Sequence, residues 1–241
     1  MTRTSDVLVV VPVHNEALSL GAVLDELRAH APDCHVVVVN DGSTDATADV
    51  ARAAGVPVLD LCFNIGIGGA VQAGFKYALE RDYGIVVQLD GDGQHLAEEI
   101  AALIEPVRAG RCEMAIGSRF VEGSADYEGS AVRRLATKSL SRLCWALSGQ
   151  RITDATSGFR AYGPGALRYL AAYYPADYPE PEAIVLLSRR GLPICEVPVR
   201  MRVRQGGRSS IRGTRTVYYM TKVTLSLLLA AFKEGPARQI T

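Results

Sequence analysis

The chain has 241 residues, no formal net charge, 48% hydrophobic and 22% charged residues. That composition excludes a disordered or fibrous chain and leaves room for one large α/β domain or two small ones. No stretch approaches the roughly 18–20 uninterrupted apolar residues of a membrane-spanning helix. The longest candidate, 223–232, has ten residues and contains Thr224 and Ser226.

The start, Met1-Thr-Arg-Thr-Ser-Asp6, lacks the basic and apolar regions of a secretion signal. Five cysteines (Cys34, Cys62, Cys112, Cys144 and Cys195) form no CxxC pair. Neither a zinc nor a disulfide framework is expected, and a reducing cytoplasm fits best. Charge is unevenly divided. Residues 1–120 hold 8 Lys/Arg against 17 Asp/Glu, and residues 121–241 hold 18 against 9. A basic half points to phosphates, an anionic membrane face or nucleic acid, beside the plainer reading of solvated helix faces.

In chain order, 7–13 is a continuous apolar run, the mark of a strand buried on both faces of a parallel sheet. Leu20, Val23, Leu24 and Leu27 recur at helical spacing and stop near Pro32. A second buried strand, 35–40, meets Asp41-Gly-Ser-Thr-Asp45, where Ser43 or Asp45 is expected to cap a helix reaching about Ala54. Strands follow at 57–61, 84–89 and 113–116, with helices at 69–81 and 98–109 between them. Strands alternating with helices in this way predict a doubly wound α/β sheet covered on both faces. Ligands bind such sheets beyond the carboxyl ends of the strands. Three of those ends carry polar residues: His14-Asn15-Glu16, Asp41-Gly42-Ser43 and Asp90-Gly91-Asp92.

The second half is less regular. Amphipathic helices are expected at 133–147 and 216–232. Between them, 194–204 alternates Val197, Val199, Met201 and Val203 with Pro198, Arg200, Arg202 and Arg204, a strand with one apolar and one basic face.

Asp90 and Asp92 stand at i and i+2; in an extended segment both point the same way and attract a hard divalent cation that retains positions for phosphate oxygens. Asp-Gly-Asp-Gly is also a good tight turn, and it lacks the glutamate that would complete an EF-hand. His95 alone reads as a structural histidine. Asp41 can accept hydrogen bonds from a base or ribose, or cap a turn, and Asn15 and Glu16 carry a similar ambiguity. Asn64-Ile-Gly-Ile-Gly-Gly69 matches neither a P-loop nor a dinucleotide fingerprint. It leaves close-packing glycines, with Asn64 as a polar group for the cleft. Arg200, Arg202, Arg204, Arg208, Arg212 and Arg215 lie within sixteen residues without an acid and suit phosphate oxygens. The aromatic interleaving of a single-strand nucleic-acid binder is absent, so no nucleic-acid partner is expected. Glu180 and Glu182, in a proline-rich stretch read as a surface loop, could supply a base or orient an acceptor. Asp154 and Arg160 read as a pair holding a loop.

Four segments, Val11-Pro-Val-His-Asn-Glu16, Val39-Asn-Asp-Gly-Ser-Thr-Asp45, Gln88-Leu-Asp-Gly-Asp-Gly-Gln-His95 and Gly117-Ser-Arg119, stand in one order. Together they resemble family 2 of the inverting nucleotide-sugar glycosyltransferases, with the GT-A fold. Gln94-His95 and Ser157-Gly-Phe-Arg160 resemble the branch of dolichyl-phosphate mannose synthases and polyprenyl-phosphate hexosyltransferases.

The resemblance implies a mainly parallel GT-A sheet over 1–213, with a nucleotide-sugar-binding half (1–120) and an acceptor half (121–213). A C-terminal amphipathic helix and tail would occupy 214–241. It also implies that Pro12, Val13 and Glu16 line the nucleotide pocket with Asp41 near the base. Asp90, Gly91 and Asp92 would surround the sugar diphosphate, and Asp92 and Gln94 would hold Mg²⁺ or Mn²⁺. Arg119 would meet a phosphate, and Arg204 is the motif arginine. Where the mannose synthases carry a lysine this chain has Ser210, and Arg208 stands in.

The implied reaction moves a hexose, glucose or mannose, from a UDP- or GDP-sugar to a polyprenyl phosphate at the inner membrane face. A small membrane protein and a homo-oligomer are left open as partners. The alternatives are a saccharide acceptor in cell-wall or polysaccharide synthesis, or an inactive nucleotide-sugar-binding subunit.

Overall fold

Val7–Val13 forms strand β1, and every one of its residues is buried because the sheet is covered on both sides. Alternate residues serve opposite layers. Leu8 and Val10 join Val37, Val39, Phe75, Val86 and Leu167 on one face; Val7, Val9 and Val11 join Leu20, Leu24, Val87 and Leu103 on the other. The computed structural model describes residues 6–121, 131–202 and 222–229, with the side chains of Ala131–Ser148 from Ser139 onward.

The other strands are β2 (His35–Asn40), β3 (Val58–Asp60), β4 (Ile85–Gln88), β5 (Met114–Ser118), β6 (Arg160–Tyr162) and β7 (Ile194–Pro198). They lie in the order β3-β2-β1-β4-β6-β5-β7. All neighbouring pairs are parallel except those of β6, which runs antiparallel to both β4 and β5. The doubly wound, mainly parallel sheet expected from the sequence is therefore present. A three-residue strand from the second half is inserted between two strands of the first. The described helices are α1 (Ala17–His30), α2 (Thr47–Ala53), α3 (Gly66–Glu80), α4 (Ile100–Arg108), α5 (Ala131–Ser148), α6 (Pro164–Tyr173) and α7 (Pro179–Arg189), with a 3₁₀ turn at Ala97–Glu99.

Three expectations need correction. Helix α3 starts three residues before the expected Gly69, because the carboxylate of Asp41 accepts the N–H groups of Ile65 (2.7 Å) and Gly66 (3.0 Å). That cap comes from 24 residues upstream. Glu180 and Glu182 lie in the first turn of α7 rather than in a surface loop; Pro179 occupies a first-turn position, where its missing N–H costs nothing. Asp154 does not pair with Arg160, as the site geometry shows below.

Gly68 explains how closely α3 meets the 175–176 loop. A Cβ there would overlap the carbonyl oxygens of Pro175 and Ala176. Gly68→Ala is expected to force α3 away from the 175–176 loop and cost about 1–3 kcal/mol, read as a lower denaturant midpoint with an unchanged m-value.

Among the described residues no helix is long and apolar enough to cross a membrane. The expected helix over 216–232 is described at 222–229. Val223 and Leu227 are fully buried there against Leu140, Cys144 and Ile184, while Leu225, Leu228 and Leu229 face outward.

Candidate active site

Strands β1, β2 and β4 end side by side, so their polar termini converge at one edge of the sheet. Pro12 and Val13 are buried in its floor. Asn15 takes a left-handed φ of 56° and receives the N–H of Thr44 (2.8 Å) on its amide oxygen. His14 Nδ1 lies 2.8 Å from the Asp41 carbonyl oxygen, which fixes it as the protonated nitrogen. The Glu16 carboxylate accepts the Ser19 hydroxyl (3.1 Å), which also reaches the carbonyl of Gly91 (2.8 Å). Asp41 is buried and its carboxylate is turned to the start of α3, while Asn64 is exposed and accepts the N–H of Gly66 (3.0 Å). The Asp41 and Asn64 side chains thus brace the strand-end turn that leads into α3.

After β4 the chain turns sharply, and this corrects the expectation of an extended Asp90–Asp92 pair. Gly93 has φ +76°, and Asp92 Oδ1 turns back to accept the N–H of Gln94 (3.0 Å). A Cβ on Gly91 would overlap Val13, so the turn lies directly on the end of β1. His95 is buried and stacks on Phe159, with ring centroids 4.9 Å apart at 13°. Its Nδ1 accepts the N–H of Asp90 (3.1 Å), and burial pushes its pKa down to about 4. A neutral histidine anchoring the turn matches the structural reading of that residue.

Asp90, Asp92 and Gln94 offer only hard oxygen donors. Among the described residues no cluster of three His, Cys, Asp or Glu side chains forms a closed metal cage. Hard oxygen donors of this kind suit a divalent cation that takes further oxygen ligands from elsewhere. The Asp90 carboxylate packs directly on the backbone of Gly158, where a Cβ would sit 3.0 Å from Oδ2. The residues present therefore fit a Mg²⁺-like ion. Gly158→Ala is expected to displace the Asp90 carboxylate and lower kcat/KM by roughly 10²-fold with little change in the thermal midpoint, separating a site defect from a folding defect.

On the far side of the cleft Arg119 follows β5. Its Nε (2.7 Å) and Nη2 (2.8 Å) bind both carboxylate oxygens of Asp154, which is fully buried, and Nη2 also reaches Thr156 Oγ1 (3.3 Å). The N–H groups of Thr153 and Asp154 in turn donate to Glu196 of β7 (2.8 and 2.9 Å). Arg160, fully buried, donates instead to the carbonyl oxygens of Ser157 (2.8 Å), Ala155 (3.1 Å) and Glu180 (2.7 Å). It joins the 155–157 loop to the start of α7. Burial raises the pKa of the Glu180 carboxyl, Arg160 opposes that shift, and the charge of Asp90 adds to it. Glu180 thus stands at the start of α7, tied through Arg160 to the loop on which Asp90 packs. Glu182 is held elsewhere in this arrangement: its carboxylate accepts the Ser226 hydroxyl and docks the 222–229 segment.

Arg204 and Arg208 lie outside the described residues. Arg200 and Arg202 are already engaged, Arg200 with Glu98 (2.9 Å) and Glu99 (2.7 Å), Arg202 with Glu26 (2.6 Å). Their basic face is compensated by carboxylates rather than held open for phosphate. The residues that sequence reasoning missed are Glu26, Gly158 and Glu196. None stands in a strand-end motif, although Gly158 lies inside the Ser157–Arg160 segment.

The sequence and the fold both have counterparts among known proteins. The Glycosyl transferase family 2 model matches residues 8–170, which include the strand-end turns, Arg119 and Arg160. The undecaprenyl-phosphate mannosyltransferase of Micrococcus luteus is 36% identical over 215 residues, covering 86% of this chain and 88% of the relative. The polyprenol monophosphomannose synthase of Mycolicibacterium smegmatis is 31% identical over 229 residues, covering 91% and 86%. Among solved structures, glucosyl-3-phosphoglycerate synthase of Mycobacterium tuberculosis, in complex with Mn²⁺, UDP and phosphoglyceric acid, superposes with a TM-score of 0.70 at 22% identity, over 95% of this chain and 80% of that one. At that identity the likeness is one of fold. With the family model spanning most of the sheet and full-length relatives above 30% identity, the chain belongs to glycosyl transferase family 2.

Proposed function

We propose that this glycosyltransferase moves a hexose from a nucleotide-sugar to a polyprenyl phosphate at a membrane surface. The observation that carries the reading is that the Asp90 carboxylate packs on Gly158, in the loop whose Asp154 and Thr156 hold Arg119 and whose Arg160 ties in the start of α7 at Glu180. The two named relatives act on polyprenyl phosphates, which supports the acceptor class. A phosphate oxygen of the lipid attacks the anomeric carbon as the bond to the donor's diphosphate breaks, with inversion, and a nucleoside diphosphate leaves. When bound, Mg²⁺ or Mn²⁺ would neutralise charge on the departing diphosphate, held by Asp92 and Gln94. The protein's own groups do the rest. Pro12, Val13, Glu16 and the turn braced by Asp41 and Asn64 seat the nucleotide, and Asp90 with Gly91 borders the sugar diphosphate. Arg119, aimed by Asp154, faces the acceptor phosphate, and Glu180 lines the acceptor side. Catalysis is then mostly positioning and electrostatics, because an anionic nucleophile needs no base.

The membrane reading rests on Leu225 (57% exposed), Leu229 (57%) and Trp145 (46%), outward-facing side chains on two helical segments that share one buried cluster. Apolar side chains displayed in this way, with Lys222 and Arg142 on the same segments, suit an anionic bilayer surface. These side chains support peripheral association with a membrane surface.

The test offers purified protein a panel of labelled UDP- and GDP-hexoses with Mg²⁺ or Mn²⁺ and undecaprenyl phosphate. Label in the organic phase that requires both metal and lipid phosphate is the expected result, and it also names the sugar, base and metal. Glu180→Gln is expected to keep that transfer. Its loss, or nucleotide release without lipid label, would point to an acceptor that needs deprotonation.

A further inference from the structure

We infer that Glu26, in no motif and outside the cleft, is a positioning residue for the Asp90–Gln94 turn, acting through a latch with Arg202. The inference rests on the reading of that turn as the metal and diphosphate site. The turn contains Gly91 and Gly93, and its internal ties include Gln94 N–H to Asp92 and Asp90 N–H to His95. Further support comes from outside it. Residues 199–202 leave β7 and cross it: Met201 bridges His95 in antiparallel fashion, and the Arg202 N–H donates to the Gln94 carbonyl (2.9 Å).

The side chain of Arg202 is then held by Glu26 on α1, Nη1 to Oε2 at 2.6 Å and Nη2 to Oε1 at 3.3 Å. The same Oε1 accepts the N–H of Ala97 (3.3 Å), where the chain leaves the turn. One carboxylate, with its side chain 18% exposed, thus fixes both the crossing strand and the exit of the turn. Arg200 adds a second attachment to Glu98 and Glu99, in the 3₁₀ turn that follows.

An ion pair this exposed contributes little to folding. Its position gives it leverage instead, because it aligns the main chain of Gln94, beside the side chains that face the diphosphate. Glu26→Arg sets two guanidinium groups against each other and is expected to weaken Mn²⁺ binding, measured by electron paramagnetic resonance with saturating UDP or GDP, by about tenfold. Arg202→Glu should do the same. The exchanged pair, Glu26→Arg with Arg202→Glu, should recover most of the loss, and hydrogen exchange of amides 90–97 should quicken in each single variant and slow again in the exchange.

Wild-type protein that binds Mn²⁺ with neither nucleotide would overturn the reading of the site, and the inference with it. Wild-type binding matched by Glu26→Arg, or single variants that the exchange does not rescue, would overturn the latch alone.

Discussion

Asp92→Ala is expected to remove metal-dependent transfer, lowering kcat by about 10²–10³-fold while the thermal midpoint stays within about 2–4 °C of wild type. The asymmetry follows from where Asp92 stands. Its side chain is only half-buried, and it ties the turn through a bond to the N–H of Gln94 that water can replace. The anchors of the turn lie elsewhere, in His95 stacked on Phe159, in Gly91 against Val13 and in the Arg202 N–H. On the proposed function, what the substitution takes away is a charged oxygen donor to the metal. Titrating Mn²⁺ or Mg²⁺ against lipid-phase label checks it. Asp92→Asn, which keeps the size and the turn hydrogen bond, should fall between the two. Turnover unchanged in the alanine variant, over the whole metal range, would sink the metal-assisted mechanism.

The parts of the fold that were legible in the sequence are those whose cause is local. β1, β2 and β4 declare themselves as apolar runs because they are largely buried on both faces, and their polar ends are visible because the apolar run stops there. The start of α3 was not legible, since its cap is Asp41, supplied across the sheet edge. Nor was β6, three residues long and stabilised by neighbours on both sides. In the site, the Asp90–Gln94 motif was visible, as was the choice between an extended pair and a tight turn, but not its outcome, because glycine permits either path and packing against Val13 chooses. Charge partners were the least legible. Asp154 and Arg160 stand six residues apart and invite pairing, yet Arg160 is satisfied by three carbonyl oxygens, while Asp154 meets an arginine 35 residues upstream. Only the fold decides such competition.

That competition sets up the largest stability effect expected here. Arg119→Ala leaves the fully buried Asp154 carboxylate without its guanidinium, retaining the N–H of residue 119 (3.2 Å) and the Thr156 hydroxyl (3.2 Å) as donors. Breaking a buried pair from one side costs about 3–5 kcal/mol, so the midpoint of thermal unfolding should fall by about 10 °C. Asp154→Asn should cost less: it keeps an acceptor for those donors, and the Arg119 side chain, 12% exposed, retains some access to water. The informative variant is the neutral pair, Arg119→Gln with Asp154→Asn. It removes both charges together, so the fold should recover much of the lost stability. Transfer to the lipid phosphate should not recover, because an amide cannot neutralise an acceptor phosphate as a guanidinium does. Recovery of the midpoint with transfer still lost would separate the two duties of Arg119. Recovery of both would make the pair a scaffold only and leave the acceptor phosphate to other groups of the cleft.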